Sequence, residues 1–110
     1  MNVYDTANRL AKEIKESEEY TGYKKLKDIL MGNPETKKKI EDFEKLRYEL
    51  QLMQYTGEEK DEEKNKKLQE MYAMLVQDHQ IKEYFDLEVK FNVMIADVNK
   101  IIAEAIKDAL

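Results

Sequence analysis

From Tyr84 to Leu110 the chain reads YFDLEVKFNVMIADVNKIIAEAIKDAL, with no Gly or Pro to interrupt it. Lys82, Asp86, Lys90, Asp97, Lys100, Glu104 and Lys107 recur three or four residues apart, with Val93 filling one gap. At 3.6 residues per turn they share one narrow stripe of a helix. Phe85, Leu87, Phe91, Met94, Ile95, Val98, Ile101, Ile102, Ala105 and Ile106 occupy the rest of its girth. A helix this apolar must be covered on two or three sides. At a rise of 1.5 Å per residue it extends roughly 40 Å, so its partners must be long helices too.

The earlier chain divides at capping and turn signals. Asn2 or Asp5 can cap a first helix whose apolar positions Val3, Ala7, Leu10 and Ile14 step by four, three and four, an a/d seam. Ser17 followed by Glu18 and Glu19 marks a second start, with Tyr20, Tyr23, Leu26, Ile29 and Leu30 on the apolar side. Gly22 costs that helix about 1 kcal/mol relative to Ala, and a single bent rod over both segments is the alternative. Met31 to Glu35 reads as a sharp turn: Gly32 at a left-handed C′ position, Asn33 as cap, Pro34 at the first helical position.

The third helix is predicted from Pro34 to about Thr56 and carries two stripes. Ile40, Phe43, Leu46, Leu50 and Met53 lie on one side; Tyr48, Leu52 and Tyr55 fall nearly opposite. The second stripe implies another subunit or a middle position between two layers of the same chain. Gly57 ends this helix, Glu58-Glu59-Lys60 forms a polar turn, and Asp61 caps a fourth helix with Leu68, Met71, Tyr72 and Leu75 on its apolar face. Asp78 caps the closing helix from about His79. At an offset of 45, Leu26, Ile29 and Leu30 map onto Met71, Met74 and Leu75, and Ile40 onto Phe85, a weak internal repeat of helical hairpins. The expected fold is all-α: one domain over 1–110, a bundle of four to five helices in antiparallel hairpins, long in the third and last, and dimerising. The candidate interface is Tyr48, Leu52 and Tyr55 with Phe91, Ile95, Val98 and Ile102.

Composition narrows the function classes. Charged residues make up 39% of the 110, with three Gly and one Pro, a mix of long surface-wetted helices rather than sheet. The absence of Cys excludes disulfides and thiolate chemistry and fits a reducing cytoplasm. The start, MNVYDTANRL, has neither a basic nor an apolar signal-peptide region, and the charges along the last helix exclude a membrane span. The net charge of −5, with Arg9 and Arg47 the only arginines, argues against direct nucleic-acid binding. Lys37-Lys38-Lys39 and Lys66-Lys67 sit beside acidic residues and read as solvated helix faces.

No constellation carries catalysis. His79 and Glu83 could share a helix face, but two ligands fall short of a stable metal site, and no Glu-x-x-His pair supports a di-iron bundle. The acidic pairs Glu18/Glu19, Glu58/Glu59 and Glu62/Glu63 lie in charge-dense stretches, where nothing separates their pKa values for acid–base work. Ser17, the only serine, is explained as a cap, and there is no Gly-rich phosphate loop. No enzyme activity, metal or cofactor is expected. Six Met and seven Tyr are abundant for this length; core packing accounts for them, with an adaptable groove for a partner helix as the alternative, and a small-ligand or metal-binding helical protein using a Met/Tyr-lined gap or His79 as a further alternative function.

The opening Asn2-Val3-Tyr4-Asp5-Thr6-Ala7-Asn8, then Glu16 to Tyr20, Asn33-Pro34-Glu35, Glu49-Leu50-Gln51, Gly57-Glu58 with Asp61-Glu62-Glu63, Lys67-Leu68-Gln69 and Phe91 to Ile102 resemble the YlbF/YmcA family. The resemblance is greatest to its short YheA-like branch from Gram-positive bacteria and spans the full length. It implies a helical protein that self-associates, commonly as a dimer, without known enzyme activity. Better studied branches join a complex that influences the RNA-degrading endonuclease and, through it, competence, sporulation and biofilm formation. An accessory role in RNA degradation is therefore the alternative function. The iron–sulfur clusters of that complex are held by cysteines, so they do not carry over to this chain. Where relatives often place Asn-Pro before the last helix, this chain has Gln77-Asp78-His79, and Asp caps as well as Asn.

Overall fold

The computed structural model of the protein describes residues 2–58 and 61–110. Glu59 and Lys60 of the expected polar turn, and with them one member of the Glu58/Glu59 pair, lie outside the described residues. The chain is an all-α helical bundle of five helices, with no strand among the described residues. In order these are α1 (Val3–Glu16), α2 (Glu18–Met31), α3 (Pro34–Thr56), α4 (Glu62–Leu75) and α5 (His79–Ile106).

The helix ends follow local chemistry. The Asn2 side chain accepts from the Asp5 N–H at 2.9 Å to start α1, and the Asn33 side chain accepts from Glu35 and Thr36 at 3.0 and 3.2 Å to start α3, with Pro34 just inside. Asp61 and Asp78 do the same for α4 and α5, accepting from Lys64 at 3.0 Å and Gln80 at 2.9 Å. Each cap satisfies a donor that has no partner within its own helix, worth about 1 kcal/mol. Gly57 closes α3 in the left-handed region at φ 73°, where a Cβ is disfavoured.

Two junctions resolve open points. Ser17 is extended at φ −66° and ψ 151°, so α1 and α2 are separate helices rather than one bent rod. Its hydroxyl donates to the Ile14 carbonyl at 2.6 Å and accepts from the Tyr20 N–H at 3.2 Å, capping both helices with one side chain. Gly32, by contrast, does not take the left-handed conformation expected of it, because the turn is closed another way. The Gly32 N–H donates to Asp28 and Ile29, and the Asn33 N–H donates to Leu30. What favours glycine here is proximity: a Cβ would stand 3.3 Å from the Asp28 and Ile29 carbonyl oxygens.

The helices contribute to two compact units, whose boundaries fall inside α2 and α5. One spans Asp28–Glu83 and buries Leu30, Ile40, Phe43, Leu50, Leu75 and Ile81. Within it α3 and α4 pack on one another as a hairpin, with the Phe43 and Tyr72 rings 6.0 Å apart. Ile40 has no exposed surface at all, a burial worth about 1.5–3 kcal/mol. Lys64 of α4 reaches Glu49 of α3 at 3.8 Å, but both are close to half exposed and the pair contributes little.

The other unit comprises the chain up to Lys27 and Tyr84–Leu110. Leu26, Tyr84 and Phe85 are buried there. Tyr23 stacks on both Tyr84 and Phe91, at 5.3 and 5.8 Å between ring centroids, and Tyr20 meets Phe91 at 5.9 Å. Moving back along α2 thus moves forward along α5, so the two helices run antiparallel in this unit. Such ring pairs add about 0.5–1.5 kcal/mol each beyond the area they bury.

Candidate interaction surfaces

The exposed apolar side chains concentrate in three places. On α3, Tyr48, Leu52 and Tyr55 are 61%, 43% and 90% exposed, while Ile40, Phe43 and Leu50 on the opposite side are buried. The two stripes of this helix are therefore treated differently by the chain: one is core and the other meets water. In the same unit Met74 of α4 is also largely exposed, so it is not among the core methionines, and Tyr72 keeps part of its ring in water beside Phe43.

The second place is the C-terminal half of α5. Its apolar girth calls for cover on several sides, and the chain supplies it only as far as the aromatic cluster. Phe91 is half-buried against Tyr20 and Tyr23, and Ile95 and Val98 are half-buried. Beyond them Ile101, Ile102 and Ile106 are exposed, as are Val89 and Val93 on the flank. Of the candidate interface residues, Phe91 is thus engaged by rings of its own chain, and Ile102 is the most open of the four on α5.

The third is α1, which has no buried residue. Its a/d seam brings Val3, Ala7, Leu10 and Ile14 onto one face, yet only Leu10 and Ile14 are even half-buried, and Val3 and Tyr4 stand about four-fifths in water. Intrahelical pairs, Arg9–Glu13 at 3.6 Å and Lys12–Glu16 at 4.0 Å, support its polar side. They are exposed and worth only a few tenths of a kcal/mol each.

One groove borders the second of these features within a single unit. It has a volume of about 620 Å³ between the start of α2 and α5; Leu87, Met94, Val98 and Ile101 line it, with Glu18, Glu19 and Asp97 among its polar residues. Apolar surface dominates the lining, as suits a side-chain ridge rather than a polar substrate.

Sites of other kinds do not assemble. Among the described residues no three His, Cys, Asp or Glu converge on a point where a metal could sit, and His79 is an exposed residue in the first turn of α5. Lys39 pairs with Glu35 at 3.4 Å, and Lys66 and Lys67 share their surface with Glu63 and Glu70, so neither lysine cluster forms a patch of one sign. Among the described residues no helix is long and apolar enough to cross a membrane.

Comparison with known proteins gives consistent results. The family model described as "Control of competence regulator ComK, YlbF/YmcA" matches residues 3–107. A UPF0342 protein of Halothermothrix orenii is 39% identical over 102 residues, covering 93% of this chain and 86% of that one. A UPF0342 protein of Symbiobacterium thermophilum is 36% identical, covering 94% and 93%. Among solved structures, a "Protein of Unknown Function (DUF964)" from Bacillus stearothermophilus superposes with a TM-score of 0.82 at 17% identity, covering 96% of this chain and 93% of that one. The yheA structure from Bacillus subtilis superposes with a TM-score of 0.68 at 23% identity over the whole of both chains. At such identities the two structures speak for the fold alone.

Proposed function

The chain belongs to the YlbF/YmcA family, and from that premise we propose that it is a non-catalytic, self-associating interaction protein of the cytoplasm. The observation that carries this reading is the exposed apolar surface on α3 and on the second half of α5, in positions that a helix in water fills more cheaply with polar residues. Tyr48, Leu52 and Tyr55 form one proposed contact face, and Phe91, Ile95, Val98 and Ile102 lie along the other. Tyrosine suits such a face because its ring is buried while its hydroxyl keeps a partner or water at the rim. The cytoplasmic assignment is supported by the absence of cysteine.

The description of the family concerns control of a competence regulator. On that basis a further partner is another protein within a regulatory assembly. The self-contact is assigned to α5, whose exposed apolar surface continues past its intrachain ring cluster, which leaves the α3 face for that partner. Light scattering across a wide concentration range tests the reading, with two double variants as probes. Ile95→Glu with Ile102→Glu should shift the assembly toward monomer, because two carboxylates cannot be buried at a helical seam without several kcal/mol of cost. Leu52→Glu with Tyr55→Glu should leave the assembly intact. A parent protein that stays monomeric up to about 0.1 mM overturns the proposal, since a specific pair weaker than that serves no stable assembly.

A further inference from the structure

Resting on the self-association proposed above, we infer that the groove between the start of α2 and α5 is the seat for α1 of a second copy of this chain. The shape of the site fits that occupant. From Leu87 to Ile101 the groove floor spans fourteen steps along α5, about 21 Å, and α1 with its 14 residues is of nearly the same length, about 20 Å. The floor residues Leu87, Met94, Val98 and Ile101 fall seven, four and three apart, and Val3, Ala7, Leu10 and Ile14 fall four, three and four apart. Both sets keep the seven-residue period that lets side chains of one helix enter the spaces of another.

Charge agrees with the match in shape. Glu18, Glu19 and Asp97 flank the groove against the single cation Lys90. On a helical wheel of α1, Lys15 borders the apolar seam on one side, so a seated α1 brings a cation toward one edge of an acidic groove; on the other side Glu13 stands nearer the seam and is paired with Arg9 at 3.6 Å. The chain as a whole carries −5, whereas α1 balances Arg9, Lys12 and Lys15 against Asp5, Glu13 and Glu16. It is therefore a segment that another acidic copy can accept without adding to the repulsion.

The need for an occupant is shown on both sides. No residue of α1 is buried in its own chain, and Ile101 is 70% exposed. A two-fold pair in which each copy lends α1 to the other covers both faces twice with one contact.

The absence of cysteine makes the test clean. Ala7→Cys is placed in a chain with one affinity tag, and Val93→Cys or Ile101→Cys in a chain with a second tag, so that helices docked in either direction meet a groove thiol. Tyr55→Cys, on the other unit, is the control. The mixed chains are oxidised and the doubly tagged disulfide is followed over time. All four positions are exposed, and far-UV circular dichroism checks that each variant keeps the helicity of the parent. The Ala7→Cys chain should couple to a groove position at least about tenfold faster than to the Tyr55→Cys chain, as the effective concentration within a docked pair requires. A protein that is dimeric by light scattering but couples no faster to the groove than to the control overturns this inference and leaves self-association standing. A monomer at every concentration removes both.

Discussion

Replacing Ile101 with lysine should push the stability of one chain and the affinity between chains in opposite directions. In the single chain this side chain is 70% exposed. A lysine there would stand four residues after Asp97 and three before Glu104, near the C-terminal end of α5. Ion pairs at those spacings contribute about 0.2–0.5 kcal/mol each. Lysine is also a slightly better helix former than isoleucine. Because Glu104 already pairs with Lys107 at 3.0 Å, an isolated chain should gain roughly 0.3–0.8 kcal/mol from Ile101→Lys. In a pair that covers this face the sign reverses. Full burial of isoleucine is worth about 1.5–3 kcal/mol, so with 70% of its surface still to be covered roughly 1–2 kcal/mol is lost per copy. A two-fold pair contains the site twice, which weakens association by about 30- to 700-fold. Sedimentation velocity measures that change, and far-UV melting curves across about a hundredfold range of concentration measure the stability. The parent should melt higher as concentration rises; the variant should lose that dependence and melt at or above the dilute parent. An unchanged association constant together with a raised melting temperature at every concentration would refute the reasoning, because Ile101 would then remain in water in the assembled state.

Two further outcomes follow from the packing. Ile40→Ala removes a side chain with no exposed surface from the core of the Asp28–Glu83 unit and should cost about 2–5 kcal/mol, read as a lower urea midpoint; a loss under about 1 kcal/mol would contradict the packing described. Gly22→Ala should instead stabilise by about 0.5–1 kcal/mol, raising the melting temperature by about 2–8 °C. The added Cβ meets the Leu87 methyl groups at an ordinary 3.5 Å, so a lower melting temperature would mean that Leu87 cannot accommodate it.

The helix boundaries were legible because they depend on neighbours in sequence. Asn33-Pro34, Gly57, Asp61 and Asp78 each act through bonds to residues two to four positions away, and such chemistry is written locally. The two faces of α3 were legible for a related reason: a helical wheel needs only the period. What a wheel lacks is the identity of the neighbour. Phe91 is apolar whether it meets Tyr20 and Tyr23 or another molecule, so its place in the intrachain ring cluster came only with the structure. The seam of α1 looks the same with or without a partner in its own chain, and its exposure was not readable from spacing. Gly32 shows a limit of a different kind, because a glycine after a helix can serve a positive φ or a close carbonyl, and composition does not distinguish them. Ser17 was readable as the start of α2, but its second bond, back to Ile14, was not.

That one residue makes α1 a lever arm. Only Ser17 separates the two helices, and it lies outside the torsions that either of them fixes. A rotation of about 10° there swings the far end of α1, roughly 21 Å away, by about 4 Å. The direction of fourteen residues is thereby delegated to a single hydroxyl and two backbone angles, and the cheapest way to re-aim the amino-terminal arm is to change that one side chain.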